Sequence, residues 1–116
     1  MADIDTARAR VEWLVRQLEG LAFNGDQCRG QQIAMAGLLF SCADELARVT
    51  SRSHSDSALR VTLWRFAFDM RERAKATSWS PMQPVTIQAM ADALRSLVVA
   101  ARADDVTPVT SRDGAA

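Results

Sequence analysis

The chain has 116 residues and a mass of 12.7 kDa, the size of one domain that can bury its own core. Hydrophobic residues make up 48% of it and charged residues 24%, which is typical of a folded globular protein and argues against a disordered chain. The 14 basic and 14 acidic residues cancel, so no overall positive field draws nucleic acid to the surface.

The sequence lacks the usual signals for membranes and secretion. The longest apolar runs, at 33–40 and 97–101, are too short to cross a bilayer. Residues 1–22 interleave acidic and basic side chains without the apolar stretch of a signal peptide, so we expect a cytoplasmic protein with no membrane partner. Arginine outnumbers lysine 13 to 1 beside abundant alanine, a usage typical of bacterial or phage genes rich in GC.

Three polar or glycine- and proline-containing segments, at 23–30, 50–57 and 77–84, divide the chain. Between them apolar residues recur at spacings of three and four, which predicts helices near 4–22, 31–50, 57–77 and 85–103. The short connections favour antiparallel neighbours. We therefore predict an all-α, single-domain antiparallel four-helix bundle at 1–103. Residues 104–116 show no helical periodicity, and we expect a flexible, disordered tail there.

The four predicted helices differ in how much apolar surface they carry. The first and fourth each have one apolar face, as expected for the outer helices of a bundle. The second is apolar over more than half of its circumference, so it must be covered on more than one side. Because the third helix is also wide in its apolar pattern, we expect the second and third helices to be central.

The third helix carries two separate apolar ridges. The first ridge consists of Leu59, Leu63, Phe66, Ala67, Met70 and Ala74. The second ridge consists of Val61, Trp64 and Phe68, with Arg60 and Arg71 at its edges. A bundle helix needs only one buried stripe, so the second ridge is either a contact surface or a second part of the core. Because tryptophan and arginine are enriched at interface centres, we favour a contact surface whose partner is a second copy.

Two further tryptophans lie outside these ridges. Trp13 lies opposite the apolar stripe of the first helix, beside small residues that would allow another helix to approach closely. It is either a second contact point or a single exposed aromatic residue, which needs no special explanation. Trp79 lies between two serines in the third connecting segment, where we expect its ring to close one end of the core.

No pattern of catalytic, cofactor-binding or metal-ligating residues can be assigned. His54 is the single histidine, and its neighbours Ser55, Asp56 and Ser57 are expected to cap the third helix, because a hydrolase triad is assembled from distant elements. Cys28, Cys42 and His54 do not have the paired spacing of zinc ligands. We therefore predict a protein that is not an enzyme.

The charged residues are mostly explained by local pairs. Spacing predicts helical i, i+4 pairs at Arg8–Glu12, Glu12–Arg16, Asp44–Arg48 and Asp69–Arg73. Residues 58–79 keep a net charge of +3, from five basic and two acidic residues. This segment is a solvated face, a surface for phosphates, or a surface that receives the acidic tail.

Three functions follow as hypotheses. The first is a small interaction protein, an adaptor, inhibitor or regulatory subunit, that forms a homodimer through its third helix and binds an unidentified protein partner. The second is a nucleic-acid-binding regulator that uses the arginines of the third helix. The third is a binder of a small apolar molecule in an interior made adaptable by Met35, Met70 and Met90.

Overall fold

Four helices make up the structure, a computed structural model that describes residues 3–24, 28–49 and 53–115, with side chains as far as residue 105. They are α1 (Ile4–Asn24), α2 (Arg29–Arg48), α3 (His54–Lys75) and α4 (Pro84–Ala115). The described residues contain no strand. The predicted all-α four-helix bundle is therefore confirmed.

Side chains that bind free backbone amides fix where the helices begin. Asp3 accepts a hydrogen bond from the amide of Thr6 at 2.8 Å, which lowers the pKa of the Asp3 carboxyl. At α3 the cap is Ser53, whose hydroxyl accepts the Asp56 amide at 2.8 Å. The prediction that residues 55–57 cap this helix is wrong, because the extended backbone that a cap requires occurs at Ser53 and α3 already begins at His54.

The helices form a closed antiparallel ring. α1 packs along α2 and α4, and α3 packs along the same two helices. Ion pairs between α1 and α4 show their opposite directions, since Glu19 pairs with Arg95 while the earlier Glu12 pairs with the later Arg102. α2 and α3 make the most extensive contact of the ring.

Each helix contributes one buried stripe to a shared core. The stripes predicted for α1 and α4, and the first ridge of α3, all face this interior. The largest fully buried apolar side chains are Leu14, Leu18, Leu39, Leu59, Leu63, Met70, Ile87 and Leu94. Burying each of them stabilises the fold by about 1.5–3 kcal/mol, so packing and not helix propensity holds the bundle together.

A buried glutamine and a methionine close one end of this core. Gln32 donates a hydrogen bond from Nε2 to the carbonyl of Met70 at 3.0 Å and accepts the amide of Met82 at 3.4 Å. The Met82 side chain is 5% exposed and packs into the core. Trp79, expected to close the core, is only half-buried, and the guanidinium of Arg29 lies 5.6 Å from its ring centroid.

The last helix continues beyond its predicted end at residue 103. The hydroxyl of Ser55 donates to Asp104 at 2.9 Å, and Asp105 pairs with Arg8 of α1. The first two residues of the predicted tail are thus attached to the bundle. The side chains of 106–116 lie outside the described residues, and the flexibility expected of that segment stays a prediction.

Candidate interaction surface

The second ridge of α3 points away from the core. Val61, Trp64 and Phe68 keep 48%, 51% and 43% of their surface exposed, although all three are large and apolar. The first ridge, on the adjacent side of the same helix, faces the interior. In this bundle the second ridge is therefore not part of the core of a single chain.

The exposed rings form one ordered cluster that extends across two helices. Trp64 and Phe68 are stacked, with ring centroids 5.4 Å apart and an interplanar angle of 10°. Phe40 of α2 meets Trp64 edge to face at 6.3 Å. Such pairs contribute about 0.5–1.5 kcal/mol beyond their burial, so the cluster is held in a defined shape.

Arg71 covers one end of the aromatic cluster. Its guanidinium carbon lies 4.9 Å from the ring centroid of Phe40 and 5.7 Å from that of Phe68. Its buried Nε has no hydrogen-bond partner among the described residues, although a carboxylate oxygen of Glu72 lies 3.5 Å away. The arginine is thus positioned mainly by the rings, and its charge lies at the edge of an apolar patch.

α2 also contributes to this surface, which was not predicted from the sequence. Gly37, Phe40, Asp44 and Ala47 recur at spacings of three and four, and all remain exposed or half-exposed. The wide apolar arc of α2 was the available signal, but the sequence does not show that this arc and the second ridge of α3 share one side. We define the α2–α3 face as the set Gly37, Phe40, Asp44, Ala47, Arg60, Val61, Trp64, Phe68 and Arg71.

An open groove of about 690 Å³ runs along this face between the two helices. Its α2 wall consists mainly of small side chains, and its α3 wall is formed by Arg60, Val61 and Trp64. A Cβ atom placed on Gly37 would meet no heavy atom within 4 Å, so the groove is open at this point. The face therefore presents a raised ridge on α3 beside a shallow trough on α2.

Trp13 is not part of this face. Its side chain is 40% exposed on α1, where it lines a separate pocket of about 420 Å³ together with Thr6, Ala9 and Arg10. Arg10 is held there by Glu45, whose carboxylate lies 3.0 Å from the guanidinium. The six predicted interface residues thus fall into two groups, five on α3 and Trp13 alone on α1.

Three of the five basic residues of α3 lie within 4.0 Å of a carboxylate of the same helix. Arg73 binds Asp69 at 3.1 Å, and Lys75 lies 4.0 Å from Glu72. Arg60 and Arg65 form no ion pair with another described residue.

The methionines proposed to receive an apolar ligand lie in the packed core. Met35, Met70 and Met90 are 8%, 0% and 5% exposed, and none of them lines the groove on the α2–α3 face. The interior site imagined for a small ligand is thus filled by side chains. Of the functional hypotheses, contact through an exposed face is the one that the geometry supports best.

The two cysteines and the histidine lie in different surroundings. Cys42 is buried, and burial raises the pKa of its thiol to about 11. Cys28 and His54 are both exposed, one just before α2 and the other in the first turn of α3. The part of the chain with described positions holds no cluster of three or more acidic, histidine or cysteine side chains that could bind a metal.

No described helix combines the length and the hydropathy needed to cross a membrane.

Comparison of the chain with family models, with curated proteins and with solved structures found no match. The function is therefore inferred from the surface that the chain itself presents.

Proposed function

We propose that this chain is a small interaction protein that self-associates through the α2–α3 face and acts by protein contact, not by chemistry. The observation that carries the proposal is the exposed aromatic cluster of Phe40, Trp64 and Phe68, held in one arrangement across two helices. Complete burial of each ring contributes about 1.5–3 kcal/mol. With roughly half of that burial still available to Trp64 and Phe68, covering the cluster would contribute a few kcal/mol to association.

The composition of the face agrees with this role. Aromatic residues and arginine dominate the centres of protein interfaces, whereas acidic residues are depleted there. Here Trp64 and Phe68 form the centre, Arg60 and Arg71 lie at the edges, and the single carboxylate of the face belongs to Asp44. The arrangement has an apolar centre and a charged rim.

The partner that fits this face is a second copy of the chain. A twofold interface requires a surface that is complementary to itself, and a ridge beside a trough on one face meets that requirement. The defined face runs from Gly37 to Ala47 on α2 and from Arg60 to Arg71 on α3, which is about 17 Å of each helix; with each helix about 10 Å across, it offers about 340 Å² per copy. Two such faces would bury about 700 Å², below the range for stable complexes, so we expect a weak dimer whose population depends on concentration.

Self-association leaves the α1 surface around Trp13 available for a different protein. In this proposal the dimer is an adaptor, inhibitor or regulatory subunit, and Trp13 with its neighbouring pocket is where the other partner would bind. Trp64 and Trp13, exposed by 51% and 40%, thus have different roles and can be tested against each other.

Replacing each tryptophan by serine tests the proposal. We expect Trp64→Ser to be monomeric by light scattering at concentrations where the unchanged chain is dimeric, and Trp13→Ser to remain dimeric. Circular dichroism checks that both variants are folded, and Phe68→Ser supplies an independent variant of the cluster. A dimer that survives both Trp64→Ser and Phe68→Ser would overturn the proposal, as would an unchanged chain that is monomeric throughout.

A further inference from the structure

We infer that two copies pair with α3 of one lying in the α2 trough of the other, so that Arg60 of each copy binds the partner's Asp44. This inference rests on the proposed self-association and specifies its geometry. It follows from three features of the α2–α3 face. The first is the level of each residue, meaning its position along the long axis of the bundle. The others are the larger side chains of α3 compared with those of α2, and the positions of the charged residues.

The antiparallel contact between α2 and α3 places Asp44 and Arg60 at one level. Phe40 lies beside Trp64 across the two helices. Asp44 is one turn after Phe40, and Arg60 is one turn before Trp64, so both lie one turn further toward the same end of the bundle. Both also line the same groove.

Two twofold arrangements can bring these faces together. If the axis runs across the helices, α3 lies on α3, ridge meets ridge, and trough meets trough. That arrangement also reverses the levels, which brings Arg60 of one copy toward the partner's Arg71. Charge opposes this arrangement, because two arginines would meet. Shape opposes it as well, because the large rings of the two ridges would collide while the small residues of the two troughs would face each other across a gap.

If the axis runs parallel to the helices, α3 of each copy lies on α2 of the other at the same level. The ridge of Val61, Trp64 and Phe68 then lies along the partner's groove wall on α2, with Phe68 near the partner's Gly37 and Trp64 at the level of the partner's Phe40. Toward one end of the trough, Arg60 faces the partner's Asp44. The ridge fits the trough twice, once on each side of the axis, and each fit brings one opposite-charge pair together.

Within one chain, both charged groups remain available for this contact. The Asp44 carboxylate is 77% exposed, and its ion pair is with Arg48 on the same helix at 3.5 Å, an exposed pair of little strength. Arg60 forms no ion pair with any described residue. An opposite charge across an interface fixes the register in which two copies dock.

The open space at Gly37 supports the same arrangement. Gly37 has no side chain, and a Cβ there would have no neighbour within 4 Å. Gly37 lies almost one turn before Phe40 on α2, which puts it near the level of Phe68. A ring of the partner's α3 can therefore approach the α2 backbone at this position.

A charge-exchange experiment tests the pairing. Arg60→Glu places two carboxylates opposite each other on both sides of the twofold axis, and Asp44→Lys places two cations there. We expect each variant alone to dissociate at least about tenfold more readily than the unchanged chain. Mixed in equal amounts, the two variants should form a heterodimer. On one side of its axis the two introduced charges are opposite in sign and attract, and on the other side the original pair of Asp44 and Arg60 is retained.

The mixture separates a contact between copies from one within a chain, because mixing cannot repair an intrachain pair. Arg16→Glu, which makes the same charge change on an exposed position of α1, is the matched control and should remain dimeric. Light scattering of each variant and native mass spectrometry of the mixture give the readouts. A mixture that stays monomeric, or single variants that dimerise like the control, would overturn this geometry. The proposal of self-association would still hold in that case if Trp64→Ser abolished the dimer. It would be contradicted only if the unchanged chain were monomeric, or if the dimer persisted in the variants that lack the aromatic cluster.

Discussion

Arg8 of α1 and Asp56 of α3 form a buried ion pair between helices that are not adjacent in the ring. The Arg8 Nε donates to Oδ1 of Asp56 at 3.0 Å, Nη2 donates to Oδ2, and the side chains are only 2% and 1% exposed. Asp105 of α4 accepts from the same guanidinium, and the hydrogen bond to Asp56 is the main cause of the raised pKa of Arg8. One arginine thus links three helices at one end of the bundle.

Replacing Arg8 by methionine should therefore be strongly destabilising. The change removes both hydrogen bonds that Arg8 donates to the buried Asp56 carboxylate, which costs about 3–5 kcal/mol of unfolding free energy. Urea denaturation measures this loss. Arg16→Met, an exposed position two turns along α1, is the control and should change stability by less than about 0.5 kcal/mol. Equal stabilities for the two variants would show that the buried pair does not hold the helices together.

Gln32 makes a second buried polar link, from α2 to the segment that closes the core. We expect Gln32→Met to lower the unfolding free energy by about 1–3 kcal/mol, because two buried hydrogen bonds are lost, the one that Gln32 donates to the carbonyl of Met70 and the one that it accepts from the amide of Met82. Thermal unfolding followed by circular dichroism measures the change, with the exposed Gln17→Met as control. A variant as stable as the control would mean that water replaces the amide group without loss.

The two cysteines should differ sharply in reactivity. Burial raises the pKa of the Cys42 thiol from 9.0 to about 11, so about one thiol in a thousand is ionised at pH 8. Cys28 is exposed. A thiol reagent should therefore modify one cysteine in the native protein and two in urea, and the native reaction should disappear in Cys28→Ser. Rapid modification of both thiols without denaturant would contradict the buried position of Cys42.

The raised pKa of Cys42 also predicts a trend of stability with pH. The thiol in the unfolded chain loses its proton near its ordinary value of 9.0, whereas the folded chain retains the proton until about 11. The contribution of Cys42 is therefore complete below pH 9 and is lost as the pH rises toward 11. Cys42→Ala should flatten this part of the curve of unfolding free energy against pH, and an unchanged slope would show that other groups cause it.

Gly37 and Gly20 form a matched pair for separating fold stability from association. Both are exposed helical glycines at which a Cβ would meet no atom within 4 Å. Gly37→Gln and Gly20→Gln should each raise the stability of the monomer by about 0.5–1 kcal/mol, since glycine is a poor helix former. Only Gly37→Gln fills the trough of the α2–α3 face, so only that variant should weaken the dimer in sedimentation equilibrium. Equal dimer affinities would place the interface elsewhere.

The periodic parts of this fold could be predicted from sequence because burial repeats with the helical period. The stripes of α1 and α4 and the two ridges of α3 all follow from spacings of three and four. Spacing also identified the exposed pairs Asp44–Arg48 and Asp69–Arg73. These features depend only on one helix at a time.

Features that depend on two helices were missed. Spacing pairs Arg8 with Glu12, but Arg8 occupies a core position and binds Asp56, while Glu12 turns to Arg102 of α4. In the same way Phe40 joins the exposed cluster only because α2 packs beside α3 in one particular rotation. The rotation of one helix against another is a result of core packing, which no local pattern in a single sequence records.

The most direct test of the central claim is the solution mass of the unchanged chain, measured by size exclusion with light scattering over a range of concentrations. We expect a dimer near twice 12.7 kDa that persists at high salt, because an apolar contact is only weakly screened. A monomer at every concentration and at both low and high salt would contradict the claim and show that the aromatic cluster of the α2–α3 face does not hold a second copy.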